Sequence, residues 1–425
     1  MNVFEELESE VRSYCRGFPA VFERAKEHWL WDENGNRYLD FFGGAGALNY
    51  GHNNDHIKGK VIEYLQNDGI IHSLDMASTS KREFLETFDE IILKPRKLSY
   101  KVQFPGPTGT NAVEAALKLA RKVTGRDSVI SFTNAFHGMT LGALSVTGNA
   151  FKRSGAGVPL GNAVSMPYDG YLGDETDTIE YLEKTLEDGG SGIDLPAAVI
   201  VETLQGEGGI NVASFEWLQR LEELCRRWEI LFIIDDIQAG CGRTGPFFSF
   251  EPAGLDPDMV CLSKSIGGYG FPLSLVLIKP ELDVWEPGEH NGTFRGNNLA
   301  FVASTAAMRQ YWRDDKLSRQ VEAHGARVRE TFEKFVMTWP DAFVEARGRG
   351  LFQGLVCNDP EIADKICAEA FANGMLMETS GAESEVVKCL APLTIDAEGI
   401  EMGLEILEKS IRTVLENSKD DSRVA

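Results

Sequence analysis

Between residues 100 and 280 the chain carries a succession of short apolar runs, at 101–104, 128–132, 197–202, 231–235, 259–263 and 273–278. Most of them lack a polar–apolar alternation, so strands made from them need cover on both faces. The segments between them supply it. Residues 111–123 and 215–228 read as helices, the second with Leu218, Leu221 and Leu224 on one face. Strands alternating with helices predict an α/β domain built on a mostly parallel sheet. Past about residue 300 the rhythm changes to longer helices, a strand-like segment at 350–356 and a final helix at 399–415. The polar stretch from Glu416 is expected to fray. The expected organisation is a large domain over residues 56–300, a smaller α+β domain over 301–425, and an N-terminal segment, 1–55, packed with the smaller one.

Composition limits the partners. Against 42 Lys+Arg stand 65 Asp+Glu, a net charge of −23 that repels nucleic acid and anionic membrane. The seven cysteines (Cys15, Cys225, Cys241, Cys261, Cys357, Cys367 and Cys389) are odd in number, scattered, and free of any Cys-x-x-Cys pair. That pattern indicates neither a disulfide framework nor a metal site and suits a reducing compartment. No run is long enough to cross a bilayer, and the acidic start Met1-Asn2-Val3-Phe4-Glu5-Glu6 lacks the apolar core of a signal peptide. The expected location is cytoplasmic.

Five local patterns carry possible chemistry. Pro105-Gly106-Pro107-Thr108-Gly109-Thr110-Asn111 follows a strand and opens a helix, with Asn111 and Glu114 spaced as a cap pair. Amides of Gly109 and Thr110 at such a terminus suit a phosphate, although the same turn more often only caps a helix. Phe136, in Asn134-Ala135-Phe136-His137-Gly138-Met139, stands just past a strand, where it could stack on a flat ring or simply fill the core beside a structural histidine. Asp235 ends an apolar run, where a carboxylate is costly to bury without a cationic partner such as a protonated pyridine nitrogen. Asp236 next to it would point to the opposite face, which weakens a two-aspartate metal site. Gln238 could reach a ring hydroxyl. Lys264, in Ser263-Lys264-Ser265-Ile266-Gly267-Gly268, comes 29 residues after Asp235 at another strand end. An apolar, glycine-rich setting lowers a lysine pKa and makes a nucleophile. Finally, Thr293 in Gly292-Thr293-Phe294-Arg295-Gly296 offers a hydroxyl to a phosphate, or is part of a surface turn.

Taken in order, these patterns resemble the class III aminotransferases of pyridoxal-phosphate fold type I. Asn34-Gly35-Asn36-Arg37-Tyr38-Leu39-Asp40, Val201-Glu202-Thr203-Leu204-Gln205-Gly206-Glu207-Gly208-Gly209, Asp235-Asp236-Ile237-Gln238 with Gly242-Arg243-Thr244-Gly245, and Arg347-Gly348-Arg349-Gly350 are similar to family motifs over nearly the whole chain. Asp236 stands where the family usually has glutamate. The resemblance implies an aspartate-aminotransferase-like fold, with a mostly parallel seven-stranded sheet and a smaller α+β C-terminal domain. It also implies pyridoxal 5'-phosphate held as a Schiff base on Lys264, which then moves the proton. Asp235 would meet the ring nitrogen, Gln238 the ring oxygen, Phe136 and Ile237 the two ring faces, and Gly109 and Thr110 the phosphate. Thr293 would reach the phosphate of the neighbouring subunit, in a homodimer with shared sites that could assemble further. Glu202, Glu207 and Lys388 would face the amino-acid and 2-oxoacid substrates.

Two positions depart from the family pattern. Met139 and Lys388 stand where many members acting on ω-amino groups carry carboxylate-binding arginines, and lysine is a point charge rather than a planar fork. Met139 points away from the usual ornithine, acetylornithine and 4-aminobutyrate enzymes. The runs at 103–114 and 132–149 instead resemble the branch that exchanges the 4-amino group of L-2,4-diaminobutyrate with 2-oxoglutarate in ectoine synthesis. Another ω-amino acid aminotransferase, or an aminomutase of the same fold, is the alternative expectation.

Overall fold

Seven strands form the central sheet: β1 (Lys101–Gln103), β2 (Val129–Phe132), β3 (Ala163–Met166), β4 (Ala198–Val201), β5 (Leu231–Asp235), β6 (Met259–Leu262) and β7 (Leu275–Ile278). The structure, a computed structural model, describes residues 3–173 and 175–424. The spatial order is β1-β7-β6-β5-β4-β2-β3. The five strands from β6 to β3 run parallel, while β7 and then β1 are added antiparallel. Every residue of β2, β4, β6 and β7 is buried, as unbroken apolar runs require in a doubly covered sheet.

One face is covered by the helix Gly109–Thr124, through Val113, Ala116, Leu117 and Ala120. Another cover is Phe215–Arg227, which buries Leu218, Leu221 and Leu224 and is capped by Ser214 Oγ on the Trp217 amide at 3.2 Å. The first of these helices starts earlier than the sequence pattern indicated. Its cap pair is Thr108 with Asn111, not Asn111 with Glu114: the Thr108 amide donates to Asn111 Oδ1 at 3.1 Å. Glu114 turns outward to accept from Thr140 Oγ1 at 2.6 Å and the Ala143 amide at 3.0 Å.

The remaining sheets come from the two ends of the chain. Phe22–Lys26, Trp29–Asp32 and Arg37–Asp40 pair as a meander, and Arg37–Asp40 is joined in parallel by Met375–Leu376. Phe343–Arg349, Phe352–Cys357, Val386–Cys389 and Glu378–Ser380 form a four-stranded antiparallel sheet. It packs beneath the long helices Lys316–Thr338 and Pro360–Ala372. The last helix runs Ala397–Val424, so the backbone expected to fray from Glu416 is helical to Val424. That stretch has neither glycine nor proline to stop it. Arg243, wholly buried, ties the parts together. Its guanidinium donates to Leu351 O at 3.1 Å, Ala391 O at 2.6 Å and Asn49 Oδ1 at 2.6 Å.

Candidate active site

The carboxyl ends of the parallel strands converge, as they do where open α/β sheets bind ligands. The segment after β2 carries Phe136 and His137, β4 runs into Glu202, β5 ends on Asp235, and Lys264 follows β6. Lys264 sits at φ +50°, a left-handed backbone that a side-chain-bearing residue rarely adopts unless its surroundings impose it.

Asp235 is buried and held from two sides. Its Oδ2 accepts from His137 Nδ1 at 2.7 Å, and its Oδ1 accepts from the Ile237 amide at 3.1 Å. Burial works to lower the pKa of His137, but the hydrogen bond and charge of Asp235 raise it above the ordinary histidine value. His137 Nε2 is buried without a hydrogen-bond partner among the described residues. Asp236 lies on the other side of the chain, fully buried, accepting from the Ser249 amide at 3.0 Å. The two neighbouring aspartates therefore do not share a ligand.

The Lys264 amine donates to Ala45 O at 2.8 Å. Desolvation lowers its pKa from the ordinary lysine value. The same carbonyl accepts from Gln238 Nε2 at 3.0 Å, and Gln238 also meets Glu207 Oε1 at 3.1 Å. Lys388, with no exposed surface, lies 2.9 Å from Glu207 Oε1 and 2.8 Å from Glu378 Oε1. Burial acts to raise the Glu207 pKa, yet Lys388 and Lys264 hold it well below the usual carboxylate range. Glu202 accepts from the Phe136 amide at 2.9 Å and is pushed up by burial to about 7.

The start of the helix Gly109–Thr124 closes the cluster. A Cβ on Gly109 would lie 3.0 Å from Ile237 Cδ1 and 3.5 Å from Ser263 Cβ, so the helix terminus abuts the residues beside Asp235 and Lys264. Thr110 Oγ1 is 2.6 Å from Thr140 Oγ1, at the end of the Phe136 segment. Phe136 is half-buried, with Lys152 Nζ 4.3 Å from its ring centre. Met139 is exposed. Thr293 is exposed too, its carbonyl accepting from His72 Nε2 at 2.7 Å, and no hydrogen bond among the described residues joins it to this cluster.

Three participants were not singled out from sequence. The Ala45 carbonyl lies in Gly43-Gly44-Ala45-Gly46, a run whose glycines could have drawn attention to it. His137 was adjacent to a chosen residue but had no visible link to Asp235. Glu378 has no local signature at all.

The residues suit a phosphorylated pyridine aldehyde. They offer a desolvated amine, a buried carboxylate fixed by two donors, and a helix N-terminus, all at one end of the sheet. The comparisons agree. The class III aminotransferase family matches residues 13–411. The chain belongs to that family.

Among class III relatives, the diaminobutyrate–2-oxoglutarate transaminase of Virgibacillus pantothenticus is 63% identical over 415 residues, covering 98% of this chain and 100% of its own. The transaminase of the same name from Nocardia farcinica is 61% identical over 413 residues, covering 97% and 94%. Of solved structures, the ornithine aminotransferase of Toxoplasma gondii, with pyridoxal phosphate at partial occupancy in its active site, is similar at TM-score 0.85. It is 27% identical, and the match covers 98% of this chain and 94% of its own. The acetylornithine aminotransferase of Elizabethkingia anophelis is similar at TM-score 0.78 and 26% identity, with 97% of each chain covered.

Proposed function

We propose that this chain is a pyridoxal-phosphate aminotransferase that interconverts L-2,4-diaminobutyrate plus 2-oxoglutarate and L-aspartate 4-semialdehyde plus L-glutamate. The observation that carries the reading is end-to-end similarity to diaminobutyrate–2-oxoglutarate transaminases, at 63% identity for one of them. It is joined to an undisturbed set of Lys264, Asp235 and Gln238 at the strand ends.

When bound, pyridoxal phosphate supplies an electron sink for the charge left as the substrate carbon loses its proton. The chain's own residues do the rest. Lys264 would hold the cofactor and would take and return the proton of the substrate carbon. Its lowered pKa leaves more of the amine neutral at working pH. Asp235, fixed by His137 and the Ile237 amide, would meet the ring nitrogen. Gln238 would lie beside the ring oxygen, Phe136 and Ile237 would cover the two faces, and the Gly109 and Thr110 amides would hold the phosphate. Glu202, Glu207 and Lys388 line the substrate side.

Thr293 completes the phosphate site from across a homodimer interface, which is able to assemble further. Exposed apolar side chains near these loops, Ile71, Leu74, Met76, Met139, Leu141 and Phe294, support such cover. All seven cysteines are unpaired, in keeping with a reducing cytoplasm, and no described helix is long and apolar enough to cross a membrane. The acid-rich composition supports a place in making ectoine, an osmolyte. The test is a donor panel with the holoenzyme and 2-oxoglutarate. Diaminobutyrate should be the best donor among ornithine, lysine and 4-aminobutyrate, with glutamate formed mole for mole. Multiple turnovers that continue without any 2-oxoglutarate would rule the reaction out.

A further inference from the structure

Glu378 and Lys388 are direct cross-strand partners between Glu378–Ser380 and Val386–Cys389. The Lys388 ammonium is shared by two carboxylates, 2.8 Å from Glu378 and 2.9 Å from Glu207. With all three groups ionised the cluster carries one surplus negative charge. Lysine gains nothing further from it, and a surplus charge in a desolvated setting is costly unless something cationic arrives.

The cluster is part of the active site. Ala45 O accepts from both Lys264 and Gln238, and Gln238 in turn meets Glu207, so short contacts run unbroken from Lys264 to Glu378. The charges of Glu207 and Glu378 both act on the Lys264 amine. The two carboxylates are not equivalent, however. Glu207 Oε1 receives Gln238 as well as Lys388, whereas Lys388 is the only ion-pair partner of Glu378 among the described residues. Desolvation raises the Glu378 carboxyl above its ordinary range despite Lys388. A second cation beside it would offset that burial.

We infer that Glu378 is a specificity-determining residue, whose uncompensated charge in the Glu207–Lys388–Glu378 cluster accepts the non-reacting ammonium of a diamino acid substrate. The inference rests on the reaction proposed above and deepens it. In L-2,4-diaminobutyrate the 4-amino group reacts, and the α-ammonium, two carbons away, stays charged. 4-Aminobutyrate has the same reacting amine and carboxylate but no such ammonium, so the two compounds differ only in the group that the surplus charge would hold.

The experiment compares wild-type, Glu378→Gln and Glu378→Asp holoenzymes in single-turnover reactions with each amine, followed by cofactor absorbance. Glu378→Gln should raise the half-saturating diaminobutyrate concentration about tenfold with a smaller change in the limiting rate. The preference for diaminobutyrate over 4-aminobutyrate should fall by a similar factor, and Glu378→Asp should recover part of it. Cofactor content and thermal unfolding report whether each variant is intact. Glu378→Ala carries the same comparison if the glutamine variant fails to retain cofactor. A preference ratio that stays within twofold of wild type in the neutral variants overturns the role of Glu378 alone. A wild-type enzyme inactive on diaminobutyrate overturns the proposed reaction with it.

Discussion

Replacing Asp236 by asparagine should make the protein's stability less sensitive to a rise in pH from 5 to 8. Asp236 is fully buried, one oxygen accepts from the Ser249 amide at 3.0 Å, and the other has no partner among the described residues. Burial pushes its carboxyl from the ordinary 3.8 up to about 7. The folded state therefore keeps this proton over a range in which the unfolded chain has lost it. The stabilisation is complete below pH 4 and disappears as pH rises through 7. Between pH 5 and pH 8 the proton linkage amounts to roughly 2–3 kcal/mol, since each pH unit over which the two states differ by one proton contributes a little over 1 kcal/mol. Asparagine keeps an acceptor for Ser249 and has nothing to ionise. Urea unfolding at pH 5 and pH 8, at one protein concentration, should show the variant gaining on wild type by about that amount as pH rises. Glu202 titrates in the same direction in both proteins, so it cancels in the difference. If the variant's margin over wild type is the same at both pH values, Asp236 is ionised throughout and the burial argument is wrong.

Lys264→Ala should abolish transamination and the absorbance of covalently held cofactor while far-ultraviolet dichroism is kept. Full turnover by that variant would remove the lysine from the mechanism. His137→Leu leaves Asp235 with the Ile237 amide alone, and losing a charge-assisted hydrogen bond of about 1.5–3 kcal/mol should weaken cofactor retention roughly 10- to 100-fold in a fluorescence titration. An unchanged dissociation constant would mean that His137 only fills space. Gly206→Ala should impair turnover because its Cβ would fall 2.6 Å from Phe352 Cζ and within the space of the Gln238 amide. Normal kinetics would show that Gln238 can be displaced without loss.

The sequence made the inner sheet legible because its central strands are short, mostly apolar runs, two of which lead to a residue whose placement calls for a reason: Asp235 at the end of β5, Lys264 just after β6. Strand β3 escaped because Ala163–Met166 is half-buried at the sheet edge and has no apolar run to mark it. The reversed direction of β7 was invisible for a different cause, since the same side-chain pattern suits either sense of pairing. The three N-terminal strands were hidden too. The first two are only partly buried, and the third, Arg37–Asp40, pairs with Met375–Leu376, more than 330 residues away along the chain. The site divides in the same way. Lys264, Asp235 and Gly109 stand in local patterns, whereas the His137–Asp235 bond spans 98 residues and Lys388–Glu207 spans 181. No window of sequence contains either pair.

Arg243 has a consequence for how such a chain can be made. It lies in the turn that follows β5, but two of its acceptors belong to Leu351 and Ala391. During synthesis, the sheet strands through Ile278 leave the ribosome more than a hundred residues before Ala391 does. Until Leu351 has been made, a guanidinium destined for complete burial has only Asn49 among its acceptors, and the set stays incomplete until Ala391; an unpaired buried charge costs several kcal/mol. The cofactor-binding sheet therefore cannot reach its final packing as a nascent fragment. A chain cut short before its last hundred residues would leave that charge uncovered, an unfinished surface for quality control to detect.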